Sequence, residues 1–216
     1  MATKTARAKT ANFRCAECGW TTAKWVGRCG ECQAWGTVEE AGEVIARTTA
    51  AAVVARPAQL IAEVDATTAA YQATGVDELD RVLGGGLVPG AVILLAGEPG
   101  VGKSTLLLDV AAKVGNGGRD VLYVTGEEST AQVKLRAERI GAVSDRLYLS
   151  AETDLGQALG QVEQVKPGLL IVDSVQTLSS NAVDGSAGGV SQVREVAASL
   201  INAAKTRNMT TLLVGT

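Results

Sequence analysis

The sequence predicts an α/β domain, a mostly parallel sheet with helices on both faces, preceded by a small four-cysteine module. Three observations lead there. Short aliphatic runs alternate with helical stretches from Thr74 onward, one of those runs ends in a glycine-rich loop, and all four cysteines fall between Cys15 and Cys32. The chain has 216 residues, 46% of them hydrophobic and 20% charged, enough for one packed domain plus an accessory module. Aromatics make up 3%, so Val, Leu, Ile and Ala must build the core.

Residues 1–12 read as a disordered basic tail, either a solvated start or a short arm touching nucleic acid, and they lack the apolar stretch of a secretory signal. Residues 13–36 hold Cys15-Ala16-Glu17-Cys18 and Cys29-Gly30-Glu31-Cys32, separated by ten residues. Each C-x-x-C brings two thiolates onto one tight turn, and two such turns close a tetrahedron around Zn²⁺. Cys15, Cys18, Cys29 and Cys32 are therefore the expected zinc ligands, with Gly19 and Gly30 supplying the positive φ that such turns often need. The rival, a pair of disulfides, belongs to an oxidising compartment, whereas the domain that follows belongs to a reducing one. A module of this size builds little core, so metal binding supplies its folding energy. Trp20, Trp25 and Trp35 are all three tryptophans of the chain. They either cover the metal turns or offer an indole on which a base can stack.

Charge is unevenly spread. Residues 1–36 carry six basic side chains against Glu17 and Glu31, a balance of +4, within a total of −3. Four thiolates on one Zn²⁺ take two units from that section, and the remaining positive charge suits an acidic partner such as nucleic acid. No histidine occurs, which excludes histidine bases, histidine ligands and Ser-His or Cys-His nucleophiles. No uncharged apolar run reaches the ~18 residues a transmembrane helix needs, so no membrane span is expected.

Residues 37–70 read as a linker with a short strand at Leu60–Val64, and residues 71–216 as the main domain. Within it, strands are predicted at Ala91–Ala96, Val121–Val124, Leu147–Leu149, Leu169–Val172 and Thr211–Val214. Helices are predicted at Lys103–Val114, from a Ser129/Gln132 capping box to about Ile140, from Asp154 through Val165, and at Val190–Arg207. The glycine-rich stretch 181–190 reads as an irregular loop, either an ordinary surface loop or one that faces DNA.

Gly97-Glu98-Pro99-Gly100-Val101-Gly102-Lys103-Ser104 fits G-x-x-x-x-G-K-[ST] between a predicted strand and a predicted helix, the context in which the pattern becomes a mechanism. The glycines let the backbone N–H groups face phosphate oxygens, and the N-terminus of the following helix adds a field that favours anions. Gly97 to Thr105 are thus candidate ATP-binding residues, Lys103 reaching the β- and γ-phosphates and the Ser104 hydroxyl ligating Mg²⁺. Asp173 ends the apolar strand Leu169–Val172 and is placed to hold the Mg²⁺ shell through water. Glu127 is the candidate to orient the attacking water, against the plainer reading of a charge favourable to a helix start. Its neighbour Glu128 is at most a polarising group.

These motifs resemble the bacterial RadA (Sms) family of DNA-repair ATPases, which is distinct from the archaeal recombinase sharing that name. The resemblance rests on the cysteine spacing with Trp25-x-Gly27-x-Cys29, the segment from Thr74-Gly75 to Pro89-Gly90, and the P-loop. Gly126-Glu127-Glu128-Ser129, Asp173-Ser174-Val175-Gln176-Thr177 and Ser191-Gln192-Val193-Arg194-Glu195 extend it. It implies a RecA-like P-loop NTPase core, with Lys103 and Asp173 in its two nucleotide motifs and Glu127 as the water-activating residue. It implies a cytoplasmic, DNA-stimulated ATP hydrolase of recombinational repair, a homohexamer when full length. Its partners would be single-stranded and branched DNA and the RecA recombinase, with helicase-like branch migration as the work done. The family continues into a Lys-Asn-Arg-Phe-Gly motif and a Lon-protease-like domain, so this chain, ending at Val214-Gly215-Thr216, is expected to be a truncated product. Two other readings stand beside it: a nucleotide-switched binding module with little turnover, and a KaiC-like regulatory ATPase, which the cysteine module disfavours.

Overall fold

The computed structural model describes residues 13–40, 54 and 57–215. The tail at 1–12 and much of the expected linker, residues 41–53 and 55–56, lie outside the described residues. The chain divides into two compact units, Met1–Ala58 and Gln59–Thr216.

The second unit is a five-stranded sheet of order β4-β8-β7-β5-β6 with every neighbouring pair parallel. Its strands are β4 (Val92–Ala96), β5 (Val121–Thr125), β6 (Leu147–Ala151), β7 (Leu169–Asp173) and β8 (Thr210–Gly215). Its helices are α1 (Asp77–Val82), α2 (Lys103–Asn116), α3 (Thr130–Ile140), α4 (Leu155–Val165) and α5 (Val190–Arg207). The central strands read as unbroken aliphatic runs because both faces are buried. Val121, Tyr123, Leu169, Ile171 and Leu212 point to one face and pack with Leu107, Leu108 and Ala111 of α2 and Val133 and Ala137 of α3. The alternate residues Leu122, Val124, Leu170, Val172 and Leu213 meet Leu155 and Val162 of α4 and Val196 and Leu200 of α5 on the other. Each such aliphatic side chain contributes about 1.5–3 kcal/mol on burial. The expected parallel sheet with helices on both faces is what forms.

Local signals set the helix ends. Ser129 and Gln132 form the anticipated capping box at α3, Gln132 N–H donating to Ser129 Oγ at 3.3 Å and Ser129 N–H to Gln132 Oε1 at 2.9 Å. Asp154 caps α4 by accepting from Gln157 N–H at 2.9 Å. Helix α1 was not anticipated; its Asp80 carboxylate reaches back to accept the Thr74 N–H at 2.8 Å, which fixes the entry.

One expected element needs amendment. Leu60–Val64 is not a strand: Ile61–Glu63 make one exposed 3₁₀ turn, and among the described residues no strand pairs with it. As expected, residues 181–189 form neither helix nor strand, and they are tied in by side chains: Ser191 Oγ donates to the Asp184 carbonyl at 3.0 Å, and Gln192 makes most of the remaining bonds. Buried Gln192 accepts from Ser180 N–H at 2.8 Å and donates to the carbonyls of Ser180, Val183 and Gly185 at 3.0, 2.7 and 3.3 Å. Among the described residues, no helix is long and apolar enough to cross a membrane.

The first unit carries an antiparallel sheet of order β2-β1-β3, formed by β1 (Phe13–Cys15), β2 (Thr21–Thr22) and β3 (Val38–Glu40). Strand β3 uses residues the sequence reading gave to the linker. Buried Cys15, Cys29 and Val38, with Phe13, Trp20 and Val26 against them, make up its small core.

Candidate nucleotide site and metal centre

In the parallel register, Ala96 lies beside Gly215 and Thr125 beside Asp173, so β4, β5 and β7 end at the same edge of the sheet. The loop after β4 curls back over that edge. Gly100 and Gly102 sit at φ 83° and 94°, conformations open to glycine at little cost, and α2 starts immediately after Gly102. A cleft of about 280 Å³ results, lined by Pro99, Gly100, Gly102, Lys103, Ser104, Thr105, Glu127, Asp173, Ser174 and Val214. Of the expected loop residues, Gly97, Glu98 and Val101 do not line the cleft. The first two serve it through their carbonyls, which accept from Lys103 Nζ at 2.5 and 2.8 Å. An ammonium has three N–H donors, so one remains for an incoming oxygen. Val101 is exposed.

Both carboxylates at the cleft are held by hydroxyls that the sequence reading did not single out. Tyr123 Oη donates to Asp173 Oδ2 at 2.6 Å, and Ser174 Oγ donates to Glu127 Oε1 at 3.2 Å. Burial, reinforced by the Asp173 charge, pushes the Tyr123 phenol well above its ordinary range, so it stays a donor at neutral pH. A signal was available for each. Tyr123 is the one hydroxyl inside the run Val121–Val124, and Ser174 directly follows the strand-ending Asp173. Glu128 is committed elsewhere: it pairs with Arg136 of α3, and its N–H donates to Thr125 Oγ1 at 3.1 Å. The neighbours Glu127 and Glu128 are thus separated, one to the cleft and one to a helix.

A larger hollow of about 520 Å³ lies in the first unit, lined by Arg14, Cys15, Ala16, Glu17, Cys18, Gly19 and Glu39. It contains no phosphate cradle and borders the cysteine centre. There the four sulfurs lie within 4.8 Å of one another, with Cys15 to Cys32 at 3.7 Å and Cys18 to Cys29 at 3.5 Å. A metal–sulfur bond of about 2.3 Å gives a tetrahedron with edges of about 3.8 Å, so these residues fit a tetrahedral thiolate centre. The Thr37 hydroxyl, 3.3 Å from Cys15 Sγ, and the Cys18 N–H lower the Cys15 thiol to about 6. Cys32 has the Ala34 N–H to favour its thiolate, but burial and the other sulfurs push it up to about 12. Four thiolates at this spacing repel one another unless a cation sits among them.

Gly19 has the expected positive φ, 74°, but Gly30 does not. The positive φ values of the second turn fall at Gln33 (58°) and Gly36 (69°) instead. Gly30 is small because Trp20 packs on it: a Cβ there would lie 2.9 Å from the indole. Trp20 therefore covers the metal turns, while Trp25 and Trp35 stay exposed.

Comparison with known proteins agrees with this division. The family described as AAA domain matches residues 55–215, and the Rubredoxin metal binding domain matches residues 13–40. The DNA repair protein RadA of Mycobacterium tuberculosis (strain CDC 1551 / Oshkosh) is 53% identical over 211 residues, covering 94% of this chain and 43% of that protein. The DNA repair protein RadA of Mycolicibacterium smegmatis is 51% identical over 89% of this chain and 43% of its own length. That of Streptococcus pyogenes serotype M6 is 47% identical over 96% and 46%. The chain spans less than half the length of these relatives. It belongs to the AAA-domain family, with a rubredoxin-type metal-binding segment in front, and its likeness to bacterial RadA extends over nearly all of its residues.

Proposed function

We propose that this chain binds Mg²⁺-ATP in the cleft at the end of β4, β5 and β7 and hydrolyses it as part of a DNA-dependent ATPase of DNA repair. The observation that carries the reading is the convergence of Lys103, Ser104, Glu127 and Asp173 on that one cleft. The backbone N–H groups of the loop and the N-terminus of α2 receive the phosphates. Lys103 holds the β- and γ-phosphate oxygens, the Ser104 hydroxyl ligates Mg²⁺, and Asp173 holds the metal's water shell. Bound Mg²⁺ supplies charge neutralisation on the transferred phosphoryl group. Tyr123 keeps the Asp173 carboxylate in one orientation. Glu127, restrained by Ser174, orients a water in line with the γ-phosphorus; the water oxygen bonds to phosphorus as the bond to the bridging oxygen breaks, releasing ADP, phosphate and the proton the water gives up.

The four cysteines hold Zn²⁺, an ion that an all-thiolate tetrahedron suits and that cannot be oxidised or reduced there. The relatives' common name, DNA repair protein RadA, supports the process. On that pattern the whole protein is a cytoplasmic homohexamer that uses DNA-stimulated hydrolysis for helicase-like migration of branched intermediates beside the RecA recombinase. The test is steady-state ATP turnover by the zinc-loaded protein, with and without single-stranded DNA, beside Lys103→Ala and Glu127→Gln. Stimulation by DNA that both variants lose, with ATP binding kept in Glu127→Gln, is the expected result. Turnover unchanged in Glu127→Gln, with ATP still tightening DNA binding, would replace the hydrolase by a nucleotide-operated switch.

A further inference from the structure

We propose that Trp25 and Trp35, with the Arg28 guanidinium over the Trp35 ring, form a stacking platform on the metal module for the bases of single-stranded DNA. The inference rests on the DNA-dependent reading above and assigns part of the DNA interface to named side chains. Trp20 already accounts for the cover of the metal turns. Trp25 and Trp35 remain 64% and 74% exposed. They are also neighbours in space. A Cβ at Gly27 would lie 3.7 Å from the Trp25 ring and 4.0 Å from the Trp35 ring, so both indoles border one point of the backbone.

The frame beneath them is held firmly. Arg28 and Trp35 form an antiparallel bridge, flanked by Cys29 N–H to Ala34 O and Gly36 N–H to Gly27 O, both at 2.9 Å. The Arg28 carbon Cζ stands 5.6 Å from the Trp35 ring centroid. Its Nε and one terminal nitrogen donate to the Gln33 carbonyl at 2.9 Å and the Gln33 side-chain oxygen at 2.7 Å. An indole held in this way loses little freedom when a base stacks on it, and every base has a π-face to offer. Lys24 and Arg28 supply cations for the phosphates that accompany the bases.

The limited exposed apolar surface favours a stacked base over an apolar protein groove. Among the described residues of 13–40, Trp25 and Trp35 are the only exposed large hydrophobics. A protein hot spot is ordinarily enclosed by a ring of neighbours that excludes water, and among the described residues of 13–40 no exposed aliphatic side chain rims these two indoles.

The experiment uses the zinc-loaded protein and two probes of equal length: an oligothymidylate and a base-free sugar-phosphate oligomer. Affinity and tryptophan quenching are measured for the wild type, Trp25→Ala, Trp35→Ala and the conservative Trp35→Phe. Zinc content checks that each variant keeps its module. Each alanine variant should weaken oligothymidylate binding about tenfold, with Trp35→Phe retaining most of the affinity. The base-free oligomer should bind weakly and quench little. Oligothymidylate affinity unchanged in both alanine variants, or equal binding of the two probes, overturns the platform while leaving the DNA-dependent reading intact. Failure of the alanine variants to bind a protein that the wild type binds, with DNA affinity unchanged, overturns it in favour of a protein partner. Absence of oligothymidylate binding in the wild type overturns both.

Discussion

Replacing Tyr123 by Phe removes one oxygen from the interior of the nucleotide domain and keeps the ring that packs there. Tyr123 is fully buried, and its hydroxyl donates to Asp173 Oδ2 at 2.6 Å. A hydrogen bond to a charged group contributes about 1.5–3 kcal/mol net. Asp173 is only partly buried, so water recovers some of the lost interaction, and a loss of about 1–2 kcal/mol at neutral pH is expected. In urea this moves the unfolding midpoint down by about 0.5–1 M at unchanged slope. The pH dependence gives the sharper check. The folded-state phenol titrates above the ordinary value of 10.0, owing first to burial and then to Asp173. Below about pH 10 both states keep the proton and this group adds no slope. Above it, the unfolded chain releases a proton that the folded protein holds, so the wild type loses ~1.4 kcal/mol per pH unit through this group. Phenylalanine has no such proton, and the two stability curves should converge as the pH rises past 10. With the carboxylate no longer steered, the Mg²⁺ concentration for half-maximal nucleotide turnover should also rise several-fold. Equal urea midpoints at pH 7 together with parallel curves above pH 10 would refute the assigned hydrogen bond.

Three further outcomes follow from the same geometry. Stripping the metal with a chelator should unfold residues 13–40, seen as a red shift in the emission of Trp20, which alone of the three indoles is packed on the metal turns, with far-UV signal from the nucleotide domain retained. Gly30→Ala places a methyl 2.9 Å from the Trp20 indole, so metal affinity should fall about tenfold in a competition titration while Gly36→Ala, whose Cβ meets nothing within 4 Å, perturbs only its local φ. Gln192→Ala strips four backbone groups of a partner, and amide exchange at Ser180 should accelerate by an order of magnitude or more at a stability cost of about 1–3 kcal/mol.

What could be read in advance was what the chain encodes locally. The P-loop is eight consecutive residues whose glycines set their own backbone, and the capping box needs only Ser129 and Gln132. The strands were legible as aliphatic runs because both faces of the sheet are covered, a property that leaves a mark on every residue of a strand. The misreadings came where meaning depends on distant residues. Gly30 looked like a turn glycine, but its reason is Trp20, ten positions earlier in the chain. The segment 60–64 has strand-like composition, and among the described residues no strand pairs with it.

The two adjacent carboxylates show why site chemistry is harder to read than fold. Glu127 and Glu128 are the same residue type at consecutive positions, and no local pattern ranks them. Their difference is made by the strand order, which sets β7 beside β5 and so brings Ser174 to Glu127, and by one turn of α3, which brings Arg136 to Glu128. The same neighbouring of β5 and β7 delivers Tyr123 to Asp173, since Tyr123 sits opposite Ile171, two residues before the carboxylate on the same face. A carboxylate near this sheet edge becomes available to a nucleotide when, among the described residues, no cation pairs with it and a neutral hydroxyl restrains it. Glu127 and Asp173 each meet that condition, whereas Glu128, neutralised by a guanidinium, has its charge already committed to the packing of α3.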